Sequence, residues 1–316
     1  MNLWLKRAEL KNNKRLGQPV HIALLVFPDF LLIAIGWLLR RKLGYSADLF
    51  AGMERLVYFV LFPSLLFQAI AHTPIELETT ANLVWAAAAI MLIGAALSWL
   101  ALPLLKPQPA AFASAVQCGF RFNSYIGLAL ATRLAGEPGL TAMALLIGFS
   151  VPLANAMAVY ALAKHAKTNL FGQLIRNPLL ISTIAGLIFN LAGFTLPAPL
   201  EALLSRLGGA AITLGLICVG GALALGGARG NMKLINYMLV VRLLALPLVA
   251  IALNMWLPLS IVEKQMLLLF SALPTASSAY VLAARMGGQG EIVAVLISVG
   301  TLLSVVTIPM WLQLLG

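Results

Sequence analysis

Three ionisable residues lie where a charge is costly. Arg121 and Arg242 sit deep inside long apolar runs, and Asp29 is the carboxylate at comparable depth. In a bilayer-crossing run each arginine costs at least ~2.5–3.5 kcal/mol on insertion scales, so such residues are functional candidates by default. Two arginines against one aspartate leave one positive charge, which suits a monoanionic ligand or anion movement driven by the membrane potential. The alternative is that Asp29 pairs structurally with one arginine while the other extends its charged end to the interface.

Two polar segments interrupt apolar runs near their middle. The first extends from Gly119 to Gly127 and the second from Ser271 to Tyr280. Proline removes a backbone donor and crowds the preceding turn, while Gly, Ser and Asn tolerate irregular backbone. Each segment therefore predicts a discontinuous helix, whose half-helix N-terminus would present a positive dipole end to an anion. Backbone groups freed at membrane depth must be satisfied by protein or by a water-filled cavity.

The candidate substrate-binding residues come from these two segments and from the run that contains the second arginine. They are Arg121, Asn123, Ser124, Arg242, Pro274, Thr275, Ser277 and Ser278. Asp29 is the candidate coupling residue or charge partner, and Asn155 is a candidate supporting group. The alternative for Asn123 and Thr275 is hydrogen bonding between helices without a ligand. No catalytic residue is predicted, because no Ser–His pair, paired Asp or H-E-x-x-H motif occurs inside an apolar run.

The composition identifies the chain as a polytopic membrane protein. Of its 316 residues, 61% are hydrophobic and 10% are charged, and the mean hydropathy is +0.97. Soluble domains are about a quarter charged, so this chain has too little polar surface to be one. Disulfide scaffolds, disordered chains and coiled coils are excluded by the same comparison. The net charge of +11 is spread between the apolar runs, which is typical of membrane loops and not of a nucleic-acid-binding face.

Ten segments are long enough to cross a bilayer, for which a helix needs roughly 20 mostly apolar residues. They are residues 22–39, 56–71, 82–105, 110–134, 140–163, 175–194, 207–227, 234–257, 264–286 and 291–314. The predicted fold is all-α, with ten transmembrane helices after a basic tail at 1–18. If the first helix enters from outside, eleven Lys and Arg residues fall in inside loops and three in outside loops. This bias predicts that both termini lie outside, although the basic tail opposes that orientation.

Three short matches indicate an internal repeat. The matched pairs, at offsets of 150, 144 and 152 residues, are 28–36 with 178–186, 100–104 with 244–248, and 131–137 with 283–289. They predict one repeat at 19–165 and a second at 166–316. Five helices per repeat place the second copy upside down, and inverted repeats are typical of transporters that bind substrate near the midplane. The offset of 152 also pairs Asn123 with Thr275, so the fourth and ninth helices are the predicted broken, crossing pair.

These features resemble the auxin efflux carrier family of permeases, in its bacterial branch. The likeness is carried by residues 60–67, 120–128, 176–180, 273–276 and 298–312, and it extends over nearly the whole chain from Pro28 onward. The resemblance implies two inverted five-helix repeats with crossing helices 4 and 9, in the inner membrane of a bacterium. It also implies transport of small organic anions such as auxins, malonate or related carboxylates. One departure is Ala129, where relatives often have proline after Ile-Gly-Leu.

The predicted function is secondary transport of a small organic anion, a carboxylate by the family resemblance, through alternating access to a midplane site between helices 4 and 9. No G-x-x-x-x-G-K-[ST] loop occurs, so the energy must come from an ion gradient, the membrane potential or the substrate gradient. With Asp29 as the one deep carboxylate, facilitated or potential-driven movement is favoured, and proton coupling comes second.

The alternative is a sodium-coupled organic-anion symporter resembling the bile-acid carrier group. No cofactor or metal is predicted; the expected partners are the substrate and membrane lipid, without nucleic acid, and a homodimer is left open.

Overall fold

The structure, a computed structural model, describes residues 19–72, 77–162, 178–223, 229–276, 278–285 and 287–314. The basic tail at 1–18 and the candidate residue Ser277 lie outside these ranges. Within them, the regular secondary structure is entirely helical. The all-helical class predicted from the apolar segments is therefore confirmed.

Thirteen α-helices are numbered here in chain order across the described ranges. They are α1 Pro19–Arg41, α2 Ala47–Leu56, α3 Phe62–His72, α4 Leu77–Leu105, α5 Pro109–Ala115, α6 Ser124–Leu162, α7 Pro178–Leu191, α8 Ala198–Ala222, α9 Met232–Val240, α10 Leu246–Trp256, α11 Ile261–Ala272, α12 Ser278–Arg285 and α13 Gly290–Gln313. Short π turns at Val57–Leu61 and Val241–Ala245 join α2 to α3 and α9 to α10. A 3₁₀ turn at Val116–Gly119 follows α5.

Six helical segments of the described chain are long and apolar enough to cross a membrane. They are Ala47–Ala71, Ala81–Leu105, Pro109–Leu162, Ala198–Ala222, Met232–Trp256 and Gly290–Gln313. The longest contains non-helical backbone at Ala135 and at Gly136, whose φ of 59° favours glycine. That kink falls between the fourth and fifth predicted spans. The chain is thus a multi-pass membrane protein, as its composition indicates.

The helices pack into two groups. In group A, which consists of α1, α2, α3, α7 and α8, the most extensive contacts join α1 to α8 and α3 to α7. Group B consists of α4, α5, α6 and α9 to α13, and α11 packs there against α6, α10 and α13. Helix α6 also contacts α1, α3, α7 and α8, so it forms much of the boundary between the groups.

The contact between α1 and α8 requires glycine. A Cβ atom on Gly36 of α1 would lie 2.0 Å from the carbonyl oxygen of Ile217, and one on Gly220 of α8 would lie 1.8 Å from that of Ile33. Real Cβ atoms do not approach backbone this closely, so the two backbones touch only because both side chains are absent. Small residues allow this approach between membrane helices. Gly220, in the seventh predicted span, thus acts in packing.

Each π turn is followed after one residue by a proline, Pro63 in the first case and Pro247 in the second. Proline has no N–H and its ring crowds the carbonyl four residues earlier, and a wider turn relieves this conflict. Pro247 leaves the carbonyl of Leu243 without its helical donor. The indole Nε1–H of Trp311 donates to that oxygen at 2.8 Å. The second π turn also contains Arg242.

Candidate functional site

Two helix breaks meet inside group B. The first break comprises residues 120–123, between the 3₁₀ turn and α6, and the second comprises residues 273–276, between α11 and α12. The backbone N–H of Asn123 donates to the Pro274 carbonyl at 2.8 Å. In return, the Thr275 hydroxyl donates to the Cys118 carbonyl at 2.7 Å. Each break thus provides hydrogen-bond partners for backbone groups that have lost their helical partners at the other break. Such partners are required inside a membrane, where no water is present to replace them.

Asn123 caps the N-terminus of α6 and keeps one donor unused. Its Oδ1 accepts hydrogen bonds from the backbone N–H groups of Tyr125 and Ile126 at 3.1 and 3.2 Å, the pattern of an asparagine N-cap. Its Nδ2 is buried and has no hydrogen-bond partner among the described residues. Ser124, half-buried, is the first residue of α6. An unused donor at the positive end of a helix is suited to an anion.

Arg121 lies beside this cap and donates only to neutral oxygen atoms of the described residues. Its NH1 donates to Gln117 Oε1 at 3.2 Å, and its NH2 donates to Asn155 Oδ1 at 2.9 Å and to Ser278 Oγ at 3.0 Å. These three acceptors belong to the 3₁₀ turn, the second half of α6 and the start of α12. Arg121 itself is 7% exposed, whereas Ser278 is exposed. A buried guanidinium without a carboxylate partner leaves a positive charge for a ligand to neutralise.

Gln117 is a site residue that the sequence analysis missed. It is fully buried, its Oε1 accepts from Arg121, and its Nε2 donates to the carbonyls of Ser114 and Ala279 at 3.2 Å each. It thereby joins the first break to α12. The available signal was its position four residues before Arg121, since a side-chain amide at that spacing reaches the next turn of a helix. Asn155, predicted as a supporting group, is one of the acceptors of Arg121.

Arg242 reaches the second break from the π turn and caps the C-terminus of α11. Its Nε donates to the Leu273 carbonyl at 2.5 Å, and its NH2 donates to the Phe270 carbonyl at 2.8 Å. Pro274 stands four residues after Phe270, so that carbonyl has no helical donor. A cation at these oxygens also complements the negative end of the helix dipole. NH1 of Arg242 is buried without a partner among the described residues.

Arg242→Met is expected to lower the free energy of unfolding by roughly 2–5 kcal/mol, because two buried carbonyls lose their donor at about 1–3 kcal/mol each. Denaturant unfolding in one detergent measures this, with the exposed Arg206→Met as the control for loss of one positive charge. A variant of unchanged stability that has lost affinity for ligand would contradict the capping role and return Arg242 to the substrate-contacting residues.

Asp29 forms an ion pair with Arg133, not with either of the two deep arginines considered from the sequence. Arg133 Nε donates to Oδ2 of Asp29 at 2.6 Å, and its NH2 donates to Oδ1 at 3.0 Å. The Asp29 side chain is 5% exposed and that of Arg133 is 37% exposed. Arg133 is one of the three basic residues predicted to lie in outside loops, with Arg206 and Lys264, although it belongs to the repeated segment 131–137. This bidentate pair links α1 of group A to α6 of group B.

The other chemically reactive side chains form no second site in the described ranges. Cys118 and Cys218 are both free and buried. No group of three or more His, Cys, Asp or Glu side chains that could hold a metal ion occurs among the described residues. A cavity of about 310 Å³ adjoins the start of α13, and none of the predicted substrate-binding residues lines it.

Comparison with known proteins finds transporters. Residues 167–312 match the model of a family described as "Membrane transport protein". Over 296 residues the chain is 26% identical to a protein of Rhizobium meliloti (strain 1021) named "Putative malonate transporter". That similarity covers 90% of this chain and 92% of the relative. It therefore extends over both predicted repeats, whereas the family model matches the second.

Proposed function

We propose that this chain is a relative of the auxin efflux carrier-type membrane transport proteins and a secondary transporter for a small carboxylate. Its similarities point to a transporter and not to an enzyme, as its sequence predicted. The substrate binds where the breaks around Asn123 and Thr275 meet. Malonate is the first substrate to test, because the relative's name contains it.

The observation that carries this proposal is the uncompensated positive charge of Arg121. The guanidinium is buried at the contact between the breaks and its described acceptors are all neutral. An anion that binds there gains charge-assisted hydrogen bonds, which are about twice as strong as neutral ones. The unused Nδ2 donor of Asn123 lies two residues away, at the positive end of α6. Both features favour a carboxylate over a neutral or cationic solute.

Thr275, Pro274 and Ser278 take part through the second break. Thr275 and Pro274 hold this break against the first one. Ser278 accepts from Arg121 and is exposed, so its hydroxyl lies between the guanidinium and the surface of the chain. We place the predicted Ser277 in the same segment by sequence alone. Arg242 contributes by holding the end of α11.

One pair of equivalent contacts supports two inverted repeats of five helices each, at 19–165 and 166–316. From α1, Arg41 donates to the carbonyl of Leu223 at the end of α8. From α7, Asn190 donates to the carbonyls of Ile70 and Ala71 at the end of α3. The donors stand at nearly the same offset as the repeat, and each first helix contacts the second helix of the other copy. Such an exchange is what an inverted repeat produces.

Alternating access would then consist of movement of group B, which carries both breaks, relative to group A. The membrane potential drives the substrate anion, with both termini outside the inner membrane of a bacterium. The described deep carboxylate, Asp29, is already paired with Arg133, which favours this mode over proton coupling, although proton coupling remains the second choice. Lipid surrounds the helices, and a homodimer is compatible with this arrangement.

An inside-positive potential is expected to drive accumulation of labelled malonate in proteoliposomes. A potential of about 100 mV corresponds to ~2.3 kcal/mol per charge, so the equilibrium ratio should rise roughly 40-fold for each net negative charge that crosses with malonate. Potassium gradients with valinomycin set the potential, and liposomes without protein serve as the control. Uptake that does not depend on the membrane potential but increases with an imposed pH gradient would instead identify proton coupling. A protein that transports none of a panel of carboxylates would overturn the proposed function.

A further inference from the structure

We infer that Arg121 is a built-in cation, whose guanidinium occupies the oxygen-lined position where a cation-coupled carrier would hold a dissolved ion. The protein therefore binds its anion without sodium. This inference rests on the proposed function for its substrate, but the cation position itself rests on the contacts of Arg121. A permanent guanidinium at this position would separate the coupling chemistry of this chain from that of a sodium-coupled symporter.

The acceptors of Arg121 are of the kind that bind hard cations. Gln117 and Asn155 provide amide oxygens and Ser278 provides a hydroxyl oxygen, all three within 3.2 Å of a guanidinium nitrogen. Carbonyl and other neutral oxygens are the preferred ligands of hard cations such as alkali and alkaline-earth ions. The three come from separate segments that meet at the helix breaks. A guanidinium there binds these segments together as a coordinated ion would.

Arg242 occupies a second position of the same kind. In transporters with broken helices, unwound carbonyls and the C-terminal ends of half-helices coordinate the coupling ion. Here the carbonyls of Phe270 and Leu273, at the end of α11, accept hydrogen bonds from Arg242. The first break thus carries a covalently attached cation and the second break is reached by one from the π turn, and the described acceptors of both are neutral oxygen atoms.

A dissolved cation would be strongly disfavoured beside Arg121. Two unit positive charges about 4 Å apart at an effective dielectric constant near 20 repel each other enough to weaken binding roughly a thousandfold. The charge that attracts the carboxylate is therefore permanent, and it cannot dissociate during a transport cycle. Removal of the guanidinium should expose the three oxygens to a small cation from solution.

The experiment compares wild type, Arg121→Ala, Arg121→Lys and the exposed Arg206→Ala in detergent. Thermal stability and malonate affinity are measured in choline chloride, sodium chloride and guanidinium chloride. The three salts are used at the same millimolar concentration and at equal ionic strength. For the wild type and Arg206→Ala we expect the same malonate affinity in all three salts. For Arg121→Ala we expect weak binding in choline, and a recovery of at least about tenfold in guanidinium, together with a rise in thermal stability. Arg121→Lys should retain binding in choline better than Arg121→Ala.

Wild-type affinity that falls about tenfold when choline replaces sodium would overturn the inference, since a dissolved ion would then be required. An Arg121→Ala protein that folds but shows no guanidinium effect on stability or affinity would also overturn it. If Arg121→Ala does not fold, the sodium dependence of the wild type and of Arg121→Lys decides. If guanidinium stabilises Arg121→Ala while the wild type binds no carboxylate, the built-in cation stands and the proposed function fails.

Discussion

Arg121→Gln is expected to weaken malonate binding by about 10- to 100-fold, because hydrogen bonds to a charged group contribute ~1.5–3 kcal/mol and each 1.4 kcal/mol is a factor of ten. Malonate uptake into proteoliposomes should fall in parallel. The fold should persist, since the acceptors that lose the guanidinium are neutral and no buried carboxylate is left unpaired. Ligand-induced thermal stabilisation measures the affinity, with saturating ligand at 100 times its dissociation constant adding about 2.7 kcal/mol to the wild type.

The matched control is Arg206→Gln, which removes the same charge from an exposed position of α8. It should leave both binding and uptake unchanged. Equal affinity of Arg121→Gln and the wild type would contradict the placement of the anion beside Arg121. A loss of malonate affinity that disappears when Arg121→Gln and the wild type are compared at equal fractions of folded protein would show that Arg121 does not contact the substrate.

Arg133→Leu is expected to lower the free energy of unfolding by about 3–5 kcal/mol, the typical result of leaving a buried charge unpaired. Its partner Asp29 lies near the middle of α1 and its side chain is 5% exposed. Without the guanidinium, that carboxylate must stay charged in an apolar environment or take up a proton, and each option costs free energy. Denaturant unfolding in a single detergent at fixed pH measures the effect.

The reverse substitution, Asp29→Asn, should cost less. It leaves Arg133, whose side chain is 37% exposed and can turn its charge outward. The double variant Asp29→Asn with Arg133→Leu should recover most of the loss, because no charge is then buried alone. Additive effects of the two substitutions would contradict the ion pair. Because the pair joins group A to group B, its loss should also change transport rates more than malonate affinity.

The sequence alone determined the class of protein and the positions of the irregular backbone. Composition decides membrane insertion, since a chain with 10% charged residues cannot cover its apolar surface with polar groups. The proline at 274 and the Gly- and Asn-containing segment around 123 are local causes of a broken helix, and the structure has irregular backbone at both places. Asn123 and Thr275 stood out for the same local reason. Proline also leaves the carbonyl four residues earlier without its helical donor. The sequence therefore indicates that this carbonyl needs a hydrogen-bond donor from elsewhere in the protein.

Only the tertiary structure decided which side chains pair with these carbonyls and with the buried carboxylate. The Phe270 carbonyl is matched by Arg242, the Leu243 carbonyl by Trp311, and Asp29 by an arginine 104 residues away. Apolar periodicity gives the depth of a residue in a helix, but in a helix that is apolar on every side it does not tell which neighbour a side chain faces. Arg121 and Arg242 were therefore alike in the sequence. Packing gave one of them neutral acceptors beside an unused donor, and made the other the cap of a half-helix.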